Sequence, residues 1–195
     1  MLIDITVDGQ TIKAIAQVTK QAWTYVFDRV TGEPVWPIEE RPVPIGDVPG
    51  EWYSPTQPFP TKPDPFDRQG ITAGDLIDFT PEIRAEALRI ASEYRMGPIF
   101  TPPSSPTDTS VRGTLMVPGL TGGANWQGGA VDAETGILYV SSISNPMRAA
   151  ARPPTGSLPD FSAMARAARA RAPAGPAGCN MICLLYTSDA AAERS

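Results

Sequence analysis

Catalysis or ligand binding needs polar groups held where a reacting atom can reach them, and few positions in this 195-residue chain offer that. There is no histidine, which excludes a Ser-His-Asp triad, a Cys-His pair and any zinc site built on imidazole. Lys20 stands between Thr19 and Gln21, just ahead of a run of aromatic residues. An ammonium held beside a reacting oxygen stabilises negative charge as it develops there. Most lysines are instead solvated, and residue type alone favours a turn lysine at this position. Asn125 and Trp126 are the second candidate pair. The glycines before them (Gly122, Gly123) and after them (Gly128, Gly129) let the backbone come close to a flat ligand. Core packing is the ordinary alternative for Trp126. Asp75, Asp78, Glu82 and Glu86 flank or lie on a solvated helix, and none has the setting of a general base. Thr56 and Gln57 could line an entrance, although no chemistry in the sequence requires it. Cys179 and Cys183 form a C-x3-C pair, a weak signal for a metal site or a disulfide, and are read as incidental thiols.

The elements that must position these groups fall into three zones. The first is β-rich. Leu2 to Val7 reads as a strand, Asp8-Gly9 as a hairpin turn, and Ile12 to Val18 alternates apolar and polar residues. Ala22 to Asp28 is a further strand, with Trp23, Tyr25 and Phe27 on one face and Ala22, Thr24 and Val26 on the other. Two apolar faces suit a strand buried between stacked sheets, so the three aromatics are assigned to packing. The second zone, about 37–112, is a long insertion. Ten prolines lie between Pro34 and Pro65, too many for interior strands, because proline donates nothing to the ladder. One helix is expected here, with Thr80 as N-cap, Pro81 at the first position, and Ile83, Ala87, Ile90, Ala91 and Tyr94 at helical spacing. The amphipathic helix and the aromatics predict an ordered excursion packed on the domain. The third zone returns to strands at 114–117, 128–132 and 137–142, with a flexible bend from Gly119 to Gly123.

Charge and composition narrow the function classes. The net charge is −5 and there is no basic stripe, so nucleic acid is not an expected partner. No window of about 18 apolar residues exists to span a bilayer. The N-terminus lacks the basic and apolar regions of a signal peptide. It starts directly on a strand, which is expected of a start internal to a longer reading frame. Residues 1–146 carry 10 basic and 18 acidic residues, whereas residues 147–195 carry 6 and 3. The later segment is rich in Ala, Arg and Pro, and its alanine-dominated run from Ala163 to Ala172 has little to bury. Its end, from Cys183 to Ser195, resembles translated sequencing-adapter read-through. The expected division is therefore a domain at 1–146 and a low-complexity tail at 147–195 that is not native coding sequence.

One turn occurs twice, as Asp28-x-x-Thr31-Gly32 and Asp132-x-x-Thr135-Gly136. Its aspartate can accept hydrogen bonds from nearby backbone amides, and its glycine can take positive φ. Each copy alone is an ordinary hairpin turn; two copies leaving apolar strands point to repeated β-sheet blades. The first copy extends to Val26-x-Asp28-x-x-Thr31-Gly32-x-x-x-Trp36, which resembles the tryptophan-docking motif of quinoprotein propellers. The second begins with Ala130 but has Val140 where the tryptophan would fall. The string Thr19-Lys20-Gln21-Ala22-Trp23-Thr24-Tyr25-Val26-Phe27-Asp28-Arg29 is similar to a cofactor-facing strand of membrane-type quinoprotein glucose dehydrogenases and their relatives. The segments Pro42-Val43-Pro44, Ser54 to Phe59, Tyr94 to Ser104 and Gly123 to Gly129 extend the resemblance across nearly all of residues 1–146.

The resemblance implies an all-β fold: two to three blades of an eight-bladed quinoprotein β-propeller, with the proline-rich insertion and its helix. It implies a fragment of a dehydrogenase that oxidises an alcohol or sugar with pyrroloquinoline quinone (PQQ) and passes electrons to a quinone or cytochrome. The location it implies is periplasmic or periplasm-facing, with membrane association through parts outside this chain. It also implies a divalent metal, calcium or magnesium, whose ligands, like the catalytic aspartate, lie in blades absent here. Under the resemblance Lys20 becomes a catalytic and cofactor-binding residue, and Asn125 and Trp126 cofactor contacts. The glucose dehydrogenase branch differs at the position of Asn125. A non-catalytic propeller of the same superfamily is the alternative, and Lys20 separates the two, since a scaffold blade has no use for a lysine aimed down the propeller axis. A stand-alone β domain without cofactor accounts poorly for the abrupt tail.

Overall fold

The computed structural model describes residues 1–105, 107–125, 127–151 and 179–185, the last as backbone. Residues 152–178, including the alanine-rich run from Ala163, lie outside the described residues, as do the side chains of Cys179 and Cys183.

Strands β1 (Leu2–Val7), β2 (Gln10–Val18) and β3 (Thr24–Asp28) form an antiparallel sheet in that order. Asp8 and Gly9, both at positive φ, make the β1–β2 turn. The alternation in the sequence becomes a single buried face: Ile3, Ile5, Ala14, Ala16, Val18 and Val26 point inward. Further along lie β4 (Ile38–Pro42), β5 (Thr56–Pro60), β6 (Gly70–Ile71), the helix α1 (Pro81–Ala91), β7 (Gly97–Pro98) and β8 (Thr114–Met116). Then come β9 (Gly129–Asp132), β10 (Ile137–Ile143), β11 (Met147–Ala149) and β12 (Cys179–Leu185). Strands β9, β10 and β12 make a second antiparallel sheet in the order β12-β10-β9. Its Leu138 and Val140 are completely buried and share one core cluster with Ile3, Ile5, Ala16, Val26 and Phe66. Two sheets far apart in sequence thus bury their apolar faces in a common core, as layered β folds require.

The repeated turn is built the same way in both copies. Oδ1 of Asp28 accepts the amides of Val30 at 2.7 Å and Thr31 at 3.4 Å. Oδ1 of Asp132 accepts those of Glu134 at 2.9 Å and Thr135 at 3.4 Å. Gly32 and Gly136 sit at φ 83° and 69° and donate back to the carbonyls of Asp28 and Asp132. After the first turn, Val35 donates to Val26 and Trp36 packs against the core cluster.

The insertion keeps its prolines out of interior strands, as expected, and departs from expectation in its helix. The prolines lie in a two-stranded ribbon: β4 pairs with β5, with Ile38 opposite Pro60 and Glu40 opposite Pro58. Each ribbon strand has one free edge, so a missing N–H there costs no ladder bond. Helix α1 begins as expected, with the Thr80 hydroxyl accepting the amide of Ile83 at 3.3 Å. It packs little, however: Ala91 is its buried residue, while Ile83, Leu88 and Ile90 stay 40–46% exposed. The insertion is held on the first sheet through aromatics instead. Trp23, 3% exposed, meets the rings of Phe59 and Phe100 at centroid distances of 4.9 and 5.8 Å. Trp23, just ahead of β3, and Tyr25 and Phe27 within it form the expected aromatic face.

The composition break at residue 147 does not coincide with the end of the strands. Strand β11 pairs with β8, Ala149 opposite Thr114, and Ala149 is buried. Among the described residues, no helix is long and apolar enough to cross a membrane.

Candidate functional site

Lys20 lies in the β2–β3 turn, and not on the cofactor-facing strand that the resemblance of Thr19 to Arg29 implies. The turn is closed by the amide of Ala22 on the Thr19 carbonyl at 3.1 Å and by the amide of Thr19 on the Trp23 carbonyl at 2.9 Å. Ala22 takes φ 65°, so β3 starts only at Thr24. Three successive carbonyls of the turn point outward, and between them they accept donors from two other segments, one at Gly123 and one at Phe66–Gln69. The Lys20 carbonyl takes the amide of Gly123 at 2.9 Å, the Gln21 carbonyl takes Nε2 of Gln69, and the Ala22 carbonyl takes the amide of Phe66 at 2.9 Å. The turn is therefore fixed in place although the Lys20 side chain itself is exposed.

Beside Lys20 is a cavity of about 210 Å³. Lys20, Gln21 and Thr101 bring polar groups to it, and Ile99, Met116 and Val117 are among its apolar walls. Its two walls come together because β6 pairs with β7 and the amide of Gly70 donates to the Val117 carbonyl at 2.7 Å. Phe100, in the wall, sits at φ 69°, a left-handed conformation that costs a non-glycine residue of order 1–3 kcal/mol. Its ring contacts with Trp23 and Phe59 hold it there. The aromatic string Tyr94 to Ser104 was visible in the sequence, but its place as a cavity wall was not. Only the pairing of β6 with β7 brings it to Lys20.

Asn125 stands on the loop that donates to Lys20, two residues beyond Gly123, and is exposed. It does not line the cavity. Trp126 lies outside the described residues. The structure therefore brings the Gly122–Asn125 loop to Lys20 without placing Asn125 and Lys20 in one cavity.

Three acidic residues of the insertion, Asp75, Glu82 and Glu86, have local partners that favour the carboxylate form. The amide and hydroxyl of Thr72 hold the Asp75 carboxyl below the usual range. Glu82 is held low by its own backbone amide and the Thr80 hydroxyl, and Glu86 by Arg89. A general base working near neutrality needs the opposite shift. Across the insertion, Arg95 bridges Asp47 at 2.5 Å and Asp108 at 3.3 Å. Asp67 accepts the hydroxyls of Ser142 and Ser144, which ties the segment after Phe66 to the second sheet. Among the described residues, no group of three or more His, Cys, Asp or Glu is arranged to hold a metal ion.

Comparison with known proteins adds a second line of observation. A family model described as PQQ: glucose/ethanol/alcohol dehydrogenase, beta-propeller domain, matches residues 1–179. The chain is 35% identical to the quinoprotein glucose dehydrogenase of Escherichia coli (strain K12) over 152 residues, 75% of this chain and 17% of the relative. It is 33% identical over 144 residues to the glycerol dehydrogenase large subunit of Gluconobacter thailandicus, covering 72% of this chain and 18% of that one. It is also 33% identical over 136 residues to the quinate/shikimate dehydrogenase (quinone) of Acinetobacter baylyi (strain ATCC 33305 / BD413 / ADP1), covering 70% and 16%. The chain thus spans about a sixth of the length of the curated relatives it matches. No solved structure matches it.

Proposed function

The chain belongs to the PQQ-type glucose/ethanol/alcohol dehydrogenase β-propeller family, and from that membership we propose that it is part of a quinoprotein dehydrogenase oxidising an alcohol or sugar. On this reading it contributes two to three blades of an eight-bladed propeller. The remaining blades bring the catalytic base and the ligands of a calcium or magnesium ion. Electrons leave to a quinone or cytochrome, in or facing the periplasm. The names of the relatives, which cover glucose, glycerol and quinate or shikimate, leave the substrate open within small hydroxyl compounds.

The observation that carries the proposal is the pinned turn that sets Lys20 beside the cavity. PQQ is a flat anionic ortho-quinone, and the groups present fit one edge of such a molecule. Lys20 is the one cation among the described lining residues, with the Gln21 amide beside it and apolar surface from Ile99, Met116 and Val117. When bound, PQQ supplies the acceptor for the two electrons of the oxidation. Lys20 would hold positive charge and donate a hydrogen bond at the edge where negative charge grows. The carbonyl contacts of its turn fix the backbone from which the lysine stem springs, so only the side chain has to settle on the ligand. The apolar walls beside it offer a face against which a flat ring can pack. Asn125 and Trp126 would contact the cofactor from the adjoining loop.

The test is reconstitution. Apo parent enzyme carrying this segment should gain alcohol- or sugar-dependent dye reduction on addition of PQQ with calcium or magnesium. Saturable PQQ binding without turnover on any hydroxyl substrate would favour a scaffold, and no binding at all would refute the proposal.

A further inference from the structure

We infer that Gly122 is the positioning residue for Lys20, its bare α-carbon forming the seat on which the lysine stem lies. The inference rests on Lys20 being the cofactor contact, and concerns what aims it.

A methyl group added at Gly122 would stand 2.6 Å from both Cβ and Cγ of Lys20 and 2.7 Å from its Cα. Carbon atoms do not approach so closely, so one partner would have to move. The lysine cannot give way near its backbone, because the carbonyls of Lys20, Gln21 and Ala22 are all held, the first by Gly123 and the other two by the segment from Phe66 to Gln69. Nor can the glycine side retreat easily. Gly122 donates to Gly119 at 2.8 Å, and Gly119 lines the same cavity. The next residue, Gly123, is bonded to the Lys20 carbonyl, and a methyl group there would lie 3.0 Å from Cβ of Ala22. A side chain at 122 would therefore swing the lysine stem away from the cavity, and the ammonium at its far end would move furthest. Gly122 also sits at φ 84°, so two causes of loss must be separated: the backbone conformation and the contact with Lys20.

Gly50 provides the matched control. It has the same φ of 84°, in an exposed loop, with nothing within 4 Å of an added methyl group. The experiment measures PQQ affinity by titration and turnover at saturating PQQ in the holoenzyme, for Gly122→Ala, Gly122→Asn, Gly50→Ala, Lys20→Ala and the Lys20→Ala/Gly122→Ala double variant. Asparagine tolerates the left-handed conformation better than alanine but carries the same Cβ. Both Gly122 variants should weaken PQQ binding and lower turnover on the order of 10²-fold, the scale of a misplacement of about 1 Å. Gly50→Ala should match wild type, and the double variant should be no worse than Lys20→Ala, because two changes acting through one group do not add. Gly122→Ala behaving like Gly50→Ala, Gly122→Asn restoring function, or losses that multiply in the double variant would each overturn the inference. So would failure of both Gly122 variants to fold, since Gly122 would then serve the fold as a whole. Wild-type behaviour of Lys20→Ala would instead sink the cofactor role of Lys20, whatever Gly122 does.

Discussion

The amide of Gly123 donates to the carbonyl oxygen of Lys20 at 2.9 Å, and the carbonyl of Gly123 accepts the amide of Ile143 at 2.8 Å. One glycine therefore ties the β2–β3 turn of the first sheet to strand β10 of the second. The position of Lys20 is set by both sheets together, and it inherits the stability of the core between them. If Lys20 meets a ligand as proposed, the backbone that carries it is already in place before the ligand arrives.

The insertion is held to the first sheet by Trp23. Because this side chain is 3% exposed and meets both Phe59 and Phe100, Trp23→Ala should cost about 3–5 kcal/mol, the usual range for truncating a buried tryptophan. The loss should be local in character as well. Amide exchange should rise across residues 97–101, which form the cavity wall, before it rises in β1 and β2. A urea midpoint close to wild type, with unchanged exchange in that wall, would show that the aromatic cluster does not anchor the insertion.

The Arg95 bridge predicts an acid-sensitive loop. The Arg95 guanidinium holds the Asp47 carboxyl below its ordinary value, and the Ser110 hydroxyl and amide, with Arg95 nearby, do the same for Asp108. Both groups therefore bind fewer protons folded than unfolded as the medium becomes acidic. Their contribution is fully present above the ordinary carboxylate value of about 4 and is lost as pH falls through the lowered folded values. Asp47 also accepts the amide of Ser105 at 3.2 Å, so protonation loosens the loop as well as the ion pair. Stability measured in urea as a function of pH should fall less steeply below about pH 4 in Asp47→Asn than in wild type. Parallel curves would contradict this account.

Local features of the fold were legible where the chain carries its own punctuation. The Asp28 and Asp132 turns, the Asp8-Gly9 hairpin, and the Thr80-Pro81 helix start depend on a few adjacent residues, and all form as their chemistry requires. What covers an apolar face is decided by distant segments and was not legible. Helix α1 has apolar residues at the right spacing, yet Ile83, Leu88 and Ile90 remain exposed. Trp23, just ahead of β3, is covered by Phe59 and Phe100, 36 and 77 positions later in the chain. Lys20 could be named from its neighbours in sequence, whereas the cavity beside it depends on two-residue ladders such as Gly70–Ile71 with Gly97–Pro98, too short to leave a pattern. Asn125 was named on its flanking glycines, which bring its loop to Lys20 but do not turn its side chain into the cavity.

The most direct test of the central claim is turnover of the parent holoenzyme, saturated with PQQ and metal, for wild type, Lys20→Ala and Lys20→Arg. If the ammonium stabilises charge developing at the quinone edge, Lys20→Ala should lose about 10²–10³-fold in rate, the scale of removing one preorganised donor. Lys20→Arg should retain part of the activity, since it keeps the charge but changes the shape of the donor. A surface lysine would leave both variants at wild-type turnover and wild-type PQQ affinity in a folded enzyme, and that result would contradict the account.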